Sequence, residues 1–267
     1  MARKPAGEIF PETRARLAEW RAQSEVLGVL LVGSKANGHQ DVHSDDDLEV
    51  LVTDLAFARL IPERCSDVRI EGEGDQRRMI YDAQLLPLSD LKRKAGSSFD
   101  LDHWPYERAQ VLFDRDGSVR RHVEAAGEMP ADFRAARLSH AALDAWIAVR
   151  RSEKTVKRDA PLALRLLAGR GIRALARLVF ALEWRWIPLD HWFDAELGTL
   201  DDDAGIRPHL IEAIATTSVE PVRAALEALA EPLEREGFPQ DRAGRTALFL
   251  RLVHPSKAEE RARHAVP

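Results

Sequence analysis

The longest uninterrupted apolar run, Val26-Leu27-Gly28-Val29-Leu30-Leu31-Val32, is seven residues long. Its shortness and β-branched content predict a buried strand that stops at Gly33-Ser34. After a loop from Lys35 to Ser44, the segment Asp47-Leu48-Glu49-Val50-Leu51-Val52 alternates acidic with apolar positions, the pattern of a strand with one polar and one buried face. Pro11 with Leu17 and Trp20 predicts a helix ahead of both. Met79 to Leu86, closed by Pro87, reads as a third strand. Pro87 to Leu91 then reads as a turn and a helix start, and Ala109 to Phe113 as a fourth, edge strand before the turn Asp114-Arg115-Asp116-Gly117. The Gly-punctuated segment carrying Glu71, Glu73 and Asp75 reads as a solvated hairpin loop.

From about Asp132 the period changes. Leu138, Ala141, Ala142, Ala145, Trp146 and Val149 form one stripe of an amphipathic helix. Pro161 suits the first turn of the next helix, which Gly169 and Gly171 weaken and Ile187-Pro188 ends. Further helices fit 190–198, 206–215 and 221–236, and the charged residues from Ser256 read as a frayed tail. The expected architecture is therefore an α/β (α+β) domain over residues 1–125, a small mixed sheet with helices on one face. An all-α helical bundle follows over 126–255, and a charged tail over 256–267.

At 267 residues and 45% hydrophobic content the chain is long enough for two modest cores. Its net charge of -5 disfavours nucleic acid as the main partner. No apolar run approaches the roughly 20 residues that span a bilayer, and no apolar stretch follows the basic N-terminus, so neither a membrane span nor a secretory signal is expected. The lone Cys65 excludes an internal disulfide and a Cys-based zinc site, and the default location is cytoplasmic.

The chemistry concentrates in Gly33-Ser34 and Asp45-Asp46-Asp47. In an extended chain Asp45, Asp47 and Glu49 project to one face and Asp46 to the other, with about 6.5–7 Å between alternate Cα atoms. Paired carboxylates at this spacing repel unless a cation neutralises them, and a hard oxygen set without Cys favours Mg²⁺. Gly33 permits close backbone approach to a phosphate, and Ser34 adds a hydroxyl and an amide.

A hydrophobic residue, Gly-Ser, ten intervening residues and then Asp45-Asp46-Asp47 resemble the signature of the nucleotidyltransferase superfamily named for DNA polymerase β. The resemblance is closest to its small-molecule branch, the aminoglycoside nucleotidyltransferases and their relatives, in which a helical domain follows the catalytic one. It extends over most of the chain and is strongest over residues 29–52. It implies transfer of AMP from ATP to a hydroxyl of a small acceptor, with an aminoglycoside-type antibiotic as the acceptor that the relatives suggest, and release of pyrophosphate. It also implies two Mg²⁺ ions held by Asp45 and Asp47, a third carboxylate and general base at Asp82, and phosphate seats at Gly33 and Ser34. Basic residues of the helical domain, Arg150, Lys154, Lys157 and Arg158 on one helical face, would reach the triphosphate. Asp46 departs from the usual hydrophobic middle position and opens a second register, with Asp47 and Glu49 as the metal pair. Alternatives are a protein-modifying AMP transferase and a nucleotide sensor without turnover.

Other polar clusters have bland readings. His39 and His43 suit a metal only on a helix, and their loop reads as irregular. Trp184, Trp186 and Trp192 read as packing between helices, with an aromatic wall for a ring substrate as the alternative. Asp100, Asp102 and Glu107 read as loop residues, with an acceptor-side carboxylate as the alternative.

Overall fold

In the computed structural model, which describes residues 7–254 and 257–264, the chain divides into two compact units. One is Met1–Ser97 with Leu101–Glu128, the other Ser98–Asp100 with Met129–Pro267.

The first unit runs α1 (Pro11–Ala22), β1 (Val26–Leu31), α2 (Gly33–Asn37), β2 (Asp46–Val52) and α3 (Asp54–Phe57). It continues with β3 (Ser66–Glu71), β4 (Arg78–Pro87), α4 (Leu88–Lys94), β5 (Gln110–Asp114) and α5 (Ser118–Gly127). The strands lie in the order β3-β4-β2-β1-β5. Only β2 and β4 are parallel; the β1/β2, β1/β5 and β3/β4 pairs are antiparallel, so the sheet is mixed.

Alternate side chains of the strands serve two cores. Val29, Leu31, Leu48, Val50, Tyr81 and Ala83 pack with Leu17 and Trp20 of α1. Leu30 and Leu51 pack on the opposite face with Leu91 of α4, Val119 and Val123 of α5, and Tyr106. Helices thus cover both faces, which corrects the one-sided expectation. The continuous apolar run of β1 is what a strand buried on both sides requires. Gly28 belongs to this packing, since a Cβ there would lie 2.7 Å from Val119 and 2.9 Å from the Phe113 carbonyl.

Two further differences have local causes. The strand β3, Ser-Asp-Val-Arg-Ile-Glu, adds to the expected strands; Glu71, expected in the hairpin loop, is its last residue, and the turn is a short 3-10 segment at Gly74–Gln76. The loop after β1 begins as α2, five residues long and too short to show a period.

The second unit is helical: α6 (Ala131–Val156), α7 (Pro161–Leu182), α8 (Phe193–Leu197), α9 (Arg207–Thr216), α10 (Glu220–Ala228), α11 (Ala230–Arg235), α12 (Arg242–Val253) and α13 (Ala258–His264). The predicted stripe of α6 is buried except for the half-buried Trp146, and so are Arg137, Leu143, Ile147 and Ala148 around the rest of the helix. It is a central helix, not a surface one. Arg137 is buried in a bidentate ion pair with Asp100, whose carboxylate also accepts the Ile187 N–H at 3.0 Å, so Asp100 is a core anchor and not a loop residue.

The helix α7 runs through both glycines. A Cβ at Gly171 would lie 2.9 Å from Val222, so the glycine permits close approach of α10. This helix ends at Leu182, ahead of Ile187-Pro188, and Trp184 follows in the left-handed region at φ 58°. The expected helix 221–236 is two helices, α10 and α11, and the sequence between Phe238 and the tail forms an unforeseen α12. Trp186 is buried beside Phe133, with ring centroids 5.0 Å apart, whereas Trp184 is exposed and Trp192 half-buried, so of these three Trp186 alone takes the core position expected of them. The tail is also ordered where described: His264 of α13 is buried against His140, at 5.4 Å between ring centroids, while Ser256 lies outside the described residues. Among the described residues no helix is long and apolar enough to cross a membrane.

Candidate active site

The site is built where β1 ends and β2 begins. Gly33 takes φ +67°, and a Cβ there would fall 1.9 Å from Asp47 Oδ2. Only glycine lets the backbone lie this close to that carboxylate. The Ser34 N–H donates to the Asp47 carboxylate, and the Val32 N–H donates to the Asp47 carbonyl at 2.9 Å. Asn37 donates its side-chain amide to the Gly33 carbonyl at 2.9 Å, and Gly38 closes α2 in the left-handed conformation. Gly33→Ala is expected to cost at least about 1–2 kcal/mol for the left-handed Cβ alone. The corresponding fall in melting temperature is about 2–8 °C, measurable by calorimetry; an unchanged value would sink this account of the turn.

The middle acidic residue belongs to the other face of β2. Asp46 is 0% exposed. Its carboxylate accepts the Phe10 N–H at 2.9 Å, the Thr13 hydroxyl at 2.6 Å and the Lys35 ammonium at 2.6 Å. The Lys35 ammonium also sits 3.5 Å from the centroid of the Phe10 ring. Asp46 therefore caps α1 from a distant strand and neutralises a buried lysine.

On the opposite face Asp47 and Asp82 are direct partners in the parallel β2/β4 register, about 4.8 Å apart across the strands. Asp45 lies just before β2 on the same alternation. The three carboxylates feel one another. Burial first, then the charges of Asp45 and Asp82, push the Asp47 carboxyl up to about 6, against the partial relief of the Ser34 N–H. Asp45 is raised as well, chiefly by burial, with Asp82 and Asp46 adding to it. Gln84 donates to Asp82 Oδ1 at 2.9 Å and orients that carboxylate.

Glu49, the other member of the second register, is taken up elsewhere. The Tyr106 hydroxyl donates to its two oxygens at 2.8 and 2.7 Å, and Lys94 Nζ stands 3.6 Å away. The Lys94 ammonium also contacts the Tyr106 hydroxyl. Burial, and then the Glu49 charge, raise the Tyr106 hydroxyl far above its ordinary value, so it remains a donor. Neither Lys35 nor the Tyr106–Lys94 clamp was found from sequence, because no spacing links them to the acidic run.

Among the described residues no three His, Cys, Asp or Glu side chains converge as a ready-made metal cage. Magnesium does not need one: it keeps several waters and uses one or two carboxylates together with substrate phosphates. The donor set is all oxygen and its charges are mutually uncompensated, so Asp45, Asp47 and Asp82 fit a hard divalent ion.

Lys154 and Lys157 belong to the second unit, and both are exposed. The basic face expected there is not one helical face. The helix α6 ends at Val156, so Lys157 and Arg158 lie beyond it, and Arg150 pairs with Glu153 at 2.9 Å.

A family model described as a domain of unknown function, DUF4037, matches residues 105–193, a stretch that includes Lys154 and Lys157 but not the carboxylates. No curated protein matches the chain. A crystal structure of a nucleotidyltransferase-like protein from Exiguobacterium sibiricum 255-15 is similar at 14% identity and a TM-score of 0.41, over 94% of this chain and 90% of that one.

Proposed function

We propose that the protein is a magnesium-dependent nucleotidyltransferase that moves AMP from ATP to a hydroxyl of a small molecule and releases pyrophosphate. The observation that carries this reading is the in-register pair Asp47 and Asp82, with Asp45 beside them, facing the Gly33-Ser34 turn. Burial and the neighbouring carboxylates raise the proton affinity of Asp45 and Asp47, an arrangement that a bound cation or a proton transfer puts to use.

Asp45 and Asp47 would hold two Mg²⁺ ions, with Asp82 completing the shell of one. When bound, the ions neutralise the triphosphate and the charge that develops at the α-phosphorus. Gly33 and Ser34 seat the β and γ phosphates: the missing Cβ lets the backbone approach, and the serine supplies a hydroxyl.

Asp82 accepts the proton of the attacking hydroxyl as that oxygen bonds to the α-phosphorus. The bond from the α-phosphorus to the bridging oxygen breaks, and pyrophosphate leaves with its electron pair. Gln84, bonded to one oxygen of Asp82, leaves the other to face the hydroxyl.

The test is pyrophosphate release from Mg·ATP against aminoglycosides, lincosamides and other hydroxyl-bearing metabolites, with Asp47→Ala as control. Release that depends on one acceptor and vanishes in the variant supports the reading; equal release by parent and variant overturns it. Asp82→Asn is expected to lower kcat by about 10²–10⁴-fold, far more than it lowers ATP affinity in a titration by calorimetry. Unchanged turnover would remove the general-base role.

A further inference from the structure

The strand order separates the two sides of the site. The Gly33-Ser34 turn follows β1, Asp47 is on β2 and Asp82 on β4, with β3 next as the sheet edge. If phosphates sit on the β1 side and the proton acceptor is on β4, a hydroxyl compound reaches Asp82 from the side of β3. This inference rests on the nucleotidyl-transfer reading, and it names the class of acceptor.

Beside Asp82 that side carries an apolar strip on one flank and the exposed polar pair Ser66 and Gln84 on the other. Val68 is the cross-strand partner of Asp82, and Ile70 that of Met79, so these side chains share the face of the sheet that carries the carboxylates. The charged neighbours on β3 point the other way: Asp67 accepts from Arg16 of α1 at 2.7 Å and from the Tyr81 hydroxyl at 3.3 Å. On β4, Arg78 likewise turns to the α1 side, its guanidinium 4.6 Å from the Phe10 ring centroid. A bulge between Arg69 and Ile70 leaves Ile80 opposite no partner and sends it into the α1 core, which returns Met79 to the face of Asp82.

The result is a strip of Val68, Ile70 and Met79 at 44%, 37% and 38% exposure, directly beside the third carboxylate. Two of these are β-branched residues on a strand whose alternate positions are charged, so the strip is not a by-product of a buried strand.

We infer that Val68, Ile70 and Met79 form the floor on which the acceptor lies. The acceptor class is then a neutral hydroxyl compound with an apolar body, in place of a polycationic one. With Asp45, Asp47 and Asp82 engaged by the ions and the proton transfer in this reading, the strip itself offers no carboxylate to ammonium groups, whereas each methylene laid on it is removed from water.

The experiment compares octyl β-D-glucoside, below its micelle concentration, with methyl β-D-glucoside, which has the same hydroxyls and a minimal apolar part. Binding is read by saturation-transfer NMR on the full chain in the presence of Mg·ATP, with kanamycin as a polycationic competitor. The parent is expected to bind the octyl compound at least about tenfold more tightly than the methyl one. The exposed-site variant Val68→Glu/Ile70→Glu is expected to bind both alike, and kanamycin is expected not to compete.

Equal binding of the two glucosides by the parent, octyl binding that survives in the variant, or displacement by kanamycin would overturn the inference. The shift in melting temperature on adding Mg·ATP, measured on the same two proteins, reports the underlying reading separately. It is expected in both; its absence from the parent would overturn nucleotide binding, whatever the glucosides do.

Discussion

Asp47→Asn is expected to melt higher than the parent at pH 7.5 and to lose nucleotidyl transfer by at least about a thousandfold. The two effects have one origin. Burial and the charges of Asp45 and Asp82 raise the Asp47 carboxyl from 3.8 to about 6, so the folded state holds this proton more tightly than the unfolded chain does. Stability from that group is fully present below about pH 4 and is lost as the pH rises through about 6. Above that range the parent carries an ionised, crowded carboxylate that asparagine removes, while the amide oxygen still accepts the Ser34 N–H.

Discounted for the partial exposure of the group, the gain is about 1–2 kcal/mol, or about 2–8 °C in melting temperature. The gap is expected to close at pH 4, where both side chains are neutral, and to narrow at pH 7.5 when Mg·ATP is added, because only the parent keeps the anion that attracts the cation. Calorimetry of both proteins at the two pH values tests this. A variant less stable than the parent at pH 7.5, or one that retains turnover, would show that Asp47 serves the fold and not the reaction.

Asp46→Ala is expected to do the reverse, with a large loss of stability. The Lys35–Asp46 pair is buried at 2.6 Å, with side-chain exposures of 7% and 0%. Removing one partner of such a pair costs about 3–5 kcal/mol, because the other charge is left without compensation. The Phe10 N–H and Thr13 hydroxyl would lose their acceptor as well. The expected fall in melting temperature is about 6–20 °C. Lys35→Met/Asp46→Leu is expected to recover part of it, since replacing both members leaves no stranded charge. Urea denaturation of the three proteins checks the cycle; a loss below about 1 kcal/mol for Asp46→Ala would show that the pair is not a stabilising anchor.

These adjacent aspartates show how far local pattern reaches. A period of two is a property of any extended chain, so the separation of Asp46 from Asp45, Asp47 and Glu49 was legible in the sequence. So were β1, with its continuous apolar run, and the spacing from Gly33-Ser34 to the acidic residues. Charged β3 and five-residue α2 were not legible, since the first alternates over only two apolar residues, Val68 and Ile70, and the second is shorter than two helical turns. In the second unit the burial of α6 on most sides, the split between α10 and α11, and the docking of α13 through His264 all follow from neighbours distant in the chain.

By itself, then, the sequence determined that a mixed-sheet unit precedes a helical one, and that acidic residues stand at the mouth of a strand behind a glycine turn. Tertiary structure decided what each acidic residue meets: Asp46 the start of α1 and Lys35, Asp47 the carboxylate of Asp82, and Glu49 the Tyr106 hydroxyl with Lys94. Alternation sorts side chains between two faces, but it holds no information about what covers each face. That depends on contacts 33 residues away for Thr13 and 57 for Tyr106, which only the folded chain brings together.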